Sequence, residues 1–385
     1  MAPGERKGRH RAGAGNVNSV RERLQQLLAA ADVRLDGARR WDLQVRDAGF
    51  APRVLAHGSL GLGESYMDGD WDCAELDGML TRVLAARLDE RVRTLDDLWF
   101  ALRARLGNRA KRRAFEIGGR HYDLGNELYR AMLGKRMVYS CAYWPRAHDL
   151  DEAQEHKLEL CCRKLMLGPG MRLLDIGCGW GEALRFAAER YGVTGVGDTV
   201  SSEQATLARE ICAGWPVEIR LQDFRELAGS FDRALSIGMF EHVGAKNYRS
   251  FFEVVRACLP KDGLFLLHTI GNEHTVHSTD PWIGKYIFPN SMLPSASQLT
   301  RAIEGLFVIE DWHCFGADYD RTLGAWLDNI ERAWPALGER YDERFRRMWR
   351  YYLSASMATF RACRSQLWQI VLSPRGVRGG YCAPR

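Results

Sequence analysis

Apolar positions recur at helical spacing from Ser19 onward, where VRERLQQLLAAA puts Leu24, Leu27 and Leu28 on one face. Turn-rich segments follow (RLDGARRWDLQV, HGSLGLGESYMDGDWD), then two more helical stretches, ELDGMLTRVLAA and TLDDLWFALRARL. Together they predict a small accessory domain, mixed α/β or α-rich, over residues 19–102. Gly61, Gly63, Asp68 and Gly69 fit turn chemistry there, and Glu64 and Tyr66 read as structural. From about residue 150 the pattern changes. MRLLDIG, VTGVGD, VEIRLQD, RALSIGM and GLFLLHTI are short apolar or β-branched runs separated by helical or turn-rich stretches. That alternation predicts βαβ units and a parallel sheet buried on both faces, with helices covering it. Ligands of such sheets lie beyond the carboxyl ends of the strands, so the chemistry is sought there.

The chain has 385 residues, 46% hydrophobic and 27% charged, which is enough for a full core and two domains and excludes a disordered or fibrous class. No apolar run approaches the roughly 18 residues of a membrane span. The basic start MAPGERKGRHRAGAG lacks the apolar stretch of a secretory signal, so residues 1–18 are expected to be a disordered tail and the protein cytoplasmic. Ten cysteines without a C-x-x-C pair fit reduced thiols used as small apolar residues. The net charge of +5 is mostly local: residues 103–120 carry seven basic side chains against one acid, Glu116. This basic linker fits an anionic membrane surface or a solvated hinge between domains; no nucleic-acid-binding motif accompanies it.

Asp175-Ile176-Gly177-Cys178-Gly179-Trp180-Gly181 closes the first predicted strand of the large domain, 121–385, and a helix opens at Glu182. The three glycines let a ligand approach the backbone. A dinucleotide would want G-x-G-x-x-G and would be repelled by Glu182. Acids at successive strand ends (Asp175, Asp198, Asp223) suit a cationic ligand with hydroxyls, and S-adenosylmethionine has those properties. Each acid alone is equally a cap. Asp223 is placed to read an adenine amino group, and Gln204, at the start of the next helix, is either a ligand contact or a surface residue.

On the reacting side, Glu241 and His268 end neighbouring strands and are expected to share one polar site, with hydrogen bonds fixing each other's orientation. His242 reads as structural, and His274 and His277 lack further ligands, so no metal is proposed. Cys141, in VYSCAYW, reads as a buried small residue. The aromatics Tyr139, Tyr143, Trp144, Phe240, Tyr286, Phe288 and Tyr319 would suit a long apolar substrate and a developing carbocation.

HYDLGNELYRAML, YSCAYW, LLDIGCGWGEALRFAAERYGV, SSEQ, GMFEHVGAKNY, LLHTIG, DPWIGKYIFPNSMLPS, DWHCFGADYDRTL and RAWPAL, in this order, resemble the cyclopropane-fatty-acyl-phospholipid synthases. The resemblance runs from about Gly119 to Gly376, and GSLGLGESYMDGDW extends it into the first domain. It implies a class I methyltransferase fold, a Rossmann-like sheet. It also implies methyl transfer from S-adenosylmethionine to the cis double bond of an unsaturated phospholipid, followed by ring closure with a bound bicarbonate as base. By the same resemblance, Cys141, Glu241, His268, Ile270 and Tyr319 form the bicarbonate site, and the Asp175–Gly181 loop, Thr199, Gln204, Gln222 and Asp223 contact the cofactor. A homodimer, peripheral at the inner face of the membrane, is implied as well. Asp198 and Ser356 depart from the pattern: relatives commonly have an apolar residue at the first position and some have cysteine at the second. Two alternatives stay open, a methyltransferase stopping at a methyl-branched or methylene product, and a binding module without catalysis.

Overall fold

A computed structural model of the chain describes residues 12–91 and 125–385. The basic segment 103–120 lies outside the described residues. The first part comprises α1 (Ala12–Ala29), β1 (Gln44–Val45), α2 (Phe50–Asp68), β2 (Trp71–Asp72), α3 (Leu76–Ala85) and α4 (Leu88–Arg91). Residues 12–18, expected in a disordered tail, belong to α1, because helix hydrogen bonding continues back from the amphipathic stretch to Ala12; residues 1–11 lie outside the described residues. β1 and β2 pair antiparallel, so this part is helical with one minimal ribbon. Gly58, at φ 55°, kinks α2.

The second part runs α5 (Asn126–Leu133), α6 (Leu150–Lys164), β3 (Arg172–Ile176), α7 (Glu182–Tyr191), β4 (Thr194–Thr199), α8 (Ser202–Ile211), β5 (Val217–Leu221), β6 (Arg233–Ile237), α9 (Tyr248–Cys258) and β7 (Leu264–Asn272). It continues through α10 (Pro281–Tyr286), α11 (Ala296–Ile303), β8 (Val308–Cys314), α12 (Ala317–Leu337), α13 (Glu343–Arg361) and β9 (Ser365–Ser373). The helix starts follow side-chain capping: Asp149, Ser201, Asp280, Ser295 and Asp342 each accept a backbone N–H of the first turn.

The seven-stranded sheet has the order β5-β4-β3-β6-β7-β9-β8. The first five are parallel and match the five runs read from sequence; β9 inserts antiparallel between β7 and β8. Alternation along β7 shows how the sheet is buried. Phe265 and Leu267 enter one apolar cluster with α9 and α11, whereas Leu264 and Leu266 enter another with α6, α7 and α8. The chain runs β3 to β5 on one side of the sheet and β6 to β7 on the other, so a crevice opens at the carboxyl ends of β3 and β6.

The first part has no core of its own. Leu24, Phe50, Tyr66, Trp71 and Met79 belong to one buried cluster with Trp326, Trp349, Tyr351 and Leu353 of α12 and α13. Arg347 of α13 adds hydrogen bonds to the Trp71 carbonyl and the Asp72 carboxylate.

Candidate functional site

The first glycine run leaves β3 at Ile176 and turns sharply: Gly177, Gly179 and Gly181 all have positive φ, at 79°, 55° and 81°. A Cβ on Gly177 would lie 2.5 Å from Met239 Cγ, and one on Gly181 2.8 Å from Cys212 Sγ, so these two permit close packing of the loop on β6 and α8. A Cβ on Gly179 would meet only Gln204 Nε2, at 4.0 Å. It faces open space.

That space is a cavity at the strand ends, lined by Asp175, Gly177, Gly179, Asp198, Thr199, Gln204 and Asp223. Two expected contacts lie outside its lining. Gly181 serves the α7–α8 packing just described, and Gln222 sits behind the cavity, its backbone N–H on the Thr199 carbonyl and its Nε2 buried without a partner. Gln204 is buried, not a surface residue: its Oε1 accepts from Thr199 Oγ1 at 3.0 Å. Asp223 uses its carboxylate locally, accepting from Arg225 N–H at 2.9 Å and Arg225 Nη1 at 3.0 Å. Asp175 is buried with Oδ1 unpartnered, and desolvation, opposed by Lys157, pushes its pKa up to about 7. Asp198 also keeps an unpartnered Oδ1, and burial with the Asp175 charge beside it holds its carboxyl well above the usual range. A glycine-lined mouth and buried acids with unmet oxygens fit a ligand carrying hydroxyls and a cationic end.

Glu241, His268, Ile270, Cys141 and Tyr319 do not line this cavity. Glu241 immediately precedes the lining residue His242, and the His268 carbonyl accepts the N–H of Gly238, another lining residue. The expectation that Glu241 and His268 orient each other is corrected. Glu241 Oε1 accepts the Ile270 N–H at 2.7 Å, and Gln369 Nε2 donates to His268 Nδ1 at 3.2 Å. The Ile270 amide is therefore already engaged. Each of the pair keeps one buried, unpartnered atom, Oε2 of Glu241 and Nε2 of His268. With Nδ1 accepting, Nε2 carries the ring proton, so the two orphans are one acceptor and one donor. Burial, with Lys157 and Lys164 behind it, holds His268 well below its ordinary pKa and hence neutral. Burial raises Glu241, partly offset by the Ile270 N–H. An acceptor and a neutral donor left unmet fit a small protonated oxyanion.

Cys141 is fully buried, and desolvation holds its thiol well above the ordinary value, which leaves no thiolate. Its segment is tied to α12: Thr322 Oγ1 accepts the Ala142 N–H at 3.1 Å and Trp144 Nε1–H at 2.9 Å. Tyr319, one turn earlier on α12, packs its ring on Phe360 at 4.7 Å. Of the seven aromatics singled out from sequence, Tyr139 and Phe288 line the cavity. Tyr139 is braced by Tyr352, hydroxyl to hydroxyl at 2.8 Å. Phe240 is instead core, stacked on Tyr248, and the Tyr286 hydroxyl bonds Glu64.

Sequence reasoning missed Ser140, Lys157 and Gln369, and set His242 aside. His242 lines the cavity with Nδ1 unpartnered, and burial pushes its pKa down to about 4. Lys157 was detectable: Leu150, Ala153, Gln154, Lys157, Cys161 and Lys164 form the buried stripe of α6, and a lysine at such a spacing breaks the apolar rule.

A family model described as mycolic acid cyclopropane synthetase matches residues 109–370. The cyclopropane-fatty-acyl-phospholipid synthase of Escherichia coli strain K12 is 51% identical over 362 residues, covering 94% of each chain. The tuberculostearic acid methyltransferase UfaA1 of Mycobacterium tuberculosis is 33% identical, covering 86% of this chain and 82% of that protein. Among solved structures, the mycolic acid cyclopropane synthase CmaA1 complexed with SAH and CTAB superposes with a TM-score of 0.63 at 31% identity, covering 67% of this chain and 98% of the other.

Proposed function

This chain belongs to the mycolic acid cyclopropane synthetase family, and from that premise we propose that it converts the cis double bond of a phospholipid acyl chain in a bilayer into a cyclopropane ring. The observation that carries the reading is the adjacency of two sites: a glycine-mouthed cavity with unmet acids, and the unpartnered Glu241 Oε2 and His268 Nε2 beside it. When bound, S-adenosylmethionine supplies the methyl group in the first site and bicarbonate a proton acceptor in the second.

The chain's own residues do the positioning. The Asp175–Gly181 loop, Thr199 and Gln204 hold the cofactor, with Gln222 and Asp223 shaping the end beyond β5. His268 donates through Nε2–H to the small anion, Glu241 accepts from its protonated oxygen through Oε2, and Tyr319 and the Cys141 segment close that site. An alkene is a weak nucleophile with no proton to lose first, so holding it in line in a dry pocket supplies much of the rate. Tyr139 and Phe288 exclude water and face the positive charge that develops on the acyl chain. The proton then lost from the former methyl carbon is very acidic, so the location of the base matters more than its strength.

The substrate sits in a membrane, and no helix among the described residues is long and apolar enough to cross one. As the family resemblance implies, the enzyme works from the membrane surface as a peripheral homodimer at the cytoplasmic face, and the basic segment 103–120 meets anionic lipid. Proton NMR of lipid extracted after reaction with S-adenosylmethionine and vesicles of cis-unsaturated phospholipid tests this: upfield ring-methylene signals are expected. New branch-methyl or exocyclic-methylene signals would instead support an enzyme that stops short of the ring, as the methyltransferase name of the 33% identical relative suggests. Unchanged lipid would leave only ligand binding.

A further inference from the structure

The segment from Ser140 to Trp144 is held from two sides. On the α6 side, the Ala153 carbonyl accepts the Tyr143 N–H at 3.0 Å, and Gln154 Nε2 donates to the Ser140 carbonyl at 3.0 Å. On the α12 side, Thr322 Oγ1 accepts the Ala142 N–H at 3.1 Å and Asp318 Oδ2 accepts the Trp144 N–H at 2.8 Å. Thr322 is 0% exposed and its hydroxyl is fully committed. It donates to the Asp318 carbonyl at 2.7 Å, and its two lone pairs take the Ala142 N–H and, at 2.9 Å, the Trp144 indole N–H. A threonine that served only its own helix would need no more than the first of these. Asp318 and Thr322 stand one turn apart with Tyr319 between them, and the peptide they clasp is the one that follows Cys141. α12 is fixed in turn to the opposite wall. Phe315, just before its start, gives its N–H to the Leu367 carbonyl at 3.2 Å and packs its ring 5.9 Å from that of His268.

The groups assigned to the small anion thus come from four separate pieces of chain: Glu241, the β7 residues His268 and Ile270, Cys141, and Tyr319. Because the Ile270 N–H is already given to Glu241, closing the site falls to the Cys141 segment and Tyr319, and the separation of these two decides its size. We propose that Asp318 and Thr322 are positioning residues of the bicarbonate site, fixing the Cys141 segment against Tyr319. The assignment rests on the reading of Glu241, His268 and Tyr319 as that site. Apolar packing alone would keep α12 and the segment together but let them slide, whereas hydrogen bonds on both sides of Tyr143 set direction and register. Neither residue touches the anion; each acts through the backbone it holds.

The test measures turnover of the full chain on vesicles of cis-unsaturated phospholipid, in carbon-dioxide-depleted buffer with bicarbonate added back in steps. Thr322→Val keeps the shape and removes the hydroxyl; it should raise the bicarbonate concentration for half-maximal turnover by about 10- to 100-fold, the effect of a misplacement of about 1 Å. Turnover at saturating bicarbonate should fall by less. Thr322→Ser, which retains the donor and both lone pairs, should stay within about three-fold of wild type. Asp318→Ala removes a single contact at a half-buried position, so it keeps the test decisive should Thr322→Val fail to fold, and it should shift the bicarbonate dependence in the same direction. Calorimetry with S-adenosylhomocysteine supplies the control: Asp318, Thr322, Ala142 and Trp144 do not line the cofactor cavity, so its affinity should change by less than about three-fold in all three variants. An unchanged bicarbonate dependence in Thr322→Val or Asp318→Ala would overturn the assignment. So would equal weakening of bicarbonate and S-adenosylhomocysteine, or a Thr322→Ser chain that behaves like Thr322→Val. Wild-type turnover indifferent to bicarbonate would instead remove the anion site itself, and the proposal with it.

Discussion

Alanine at Gly179 separates folding from ligand approach. Gly179 has φ +55°, and its added Cβ would find nothing nearer than Gln204 Nε2 at 4.0 Å. The cost to the folded chain is therefore only the left-handed backbone, about 1–2 kcal/mol, and the melting temperature should fall by a few degrees. The methyl group, however, projects into the cavity where the ligand must come close to the backbone. Forcing a methyl into a packed contact costs about 1–3 kcal/mol, which is about 5- to 150-fold in Kd. Titration calorimetry with S-adenosylhomocysteine reads the affinity, and thermal melting with and without it reads stability. Wild type at 100-fold excess over Kd should gain about 2.7 kcal/mol, and Gly179→Ala at the same ligand concentration should lose about 0.9–2.4 kcal/mol of that gain. Gly177→Ala is the counter-case. Its Cβ would sit 2.5 Å from Met239 Cγ at φ +79°, so it should lose stability without ligand by clearly more than Gly179→Ala. If Gly179→Ala bound S-adenosylhomocysteine within two-fold of wild type, the loop would not be the cofactor's approach and the reasoning would fail.

Glu241→Gln keeps an acceptor for the Ile270 N–H but replaces the unpartnered Oε2 by an amide donor; turnover should fall about 10²- to 10⁴-fold with vesicle binding unchanged, and equal losses in both would contradict the role given to Glu241. Asp175 has a folded pKa of about 7, above its unfolded value, so the folded state retains the proton that the unfolded state releases. Stability of the ligand-free protein should therefore fall as pH rises from about 4 to 7, and urea melts of Asp175→Asn should lack that part of the slope; an unchanged slope would show Asp175 is not its source. Binding to vesicles containing anionic lipid should weaken with salt and on neutralising Arg109, Lys111, Arg112 and Arg113 together. Indifference to both would point to a hinge between domains.

Much of this site was legible because it is local. The five parallel strands each carry their own short apolar run, and the functional edge follows from strand–helix alternation. Glycines 177, 179 and 181 stand in one turn, where positive φ is required within a few residues. Glu241 and His268 were placed by lying at strand ends, and Gln204 by opening a helix. What periodicity carries is which way a side chain points along its own element, and that suffices for a cavity made of strand ends.

Pairing between distant segments was decided by the tertiary structure alone. His268 takes its tautomer from Gln369, 101 residues away, because β9 inserts antiparallel beside β7 and sets the two in register. Nothing in the run SQLWQIVLS states which strand it will join. The same holds for Lys157, whose meaning as a charge facing Asp175 arises only when α6 packs beside β3, and for residues 12–91, whose apolar face is completed by α12 and α13 rather than by itself. Apolar spacing along the chain determined the elements and their buried faces, since those depend on neighbours three or four positions away. Which donor meets which acceptor depends on how whole layers pack, and that free energy is shared among residues hundreds of positions apart.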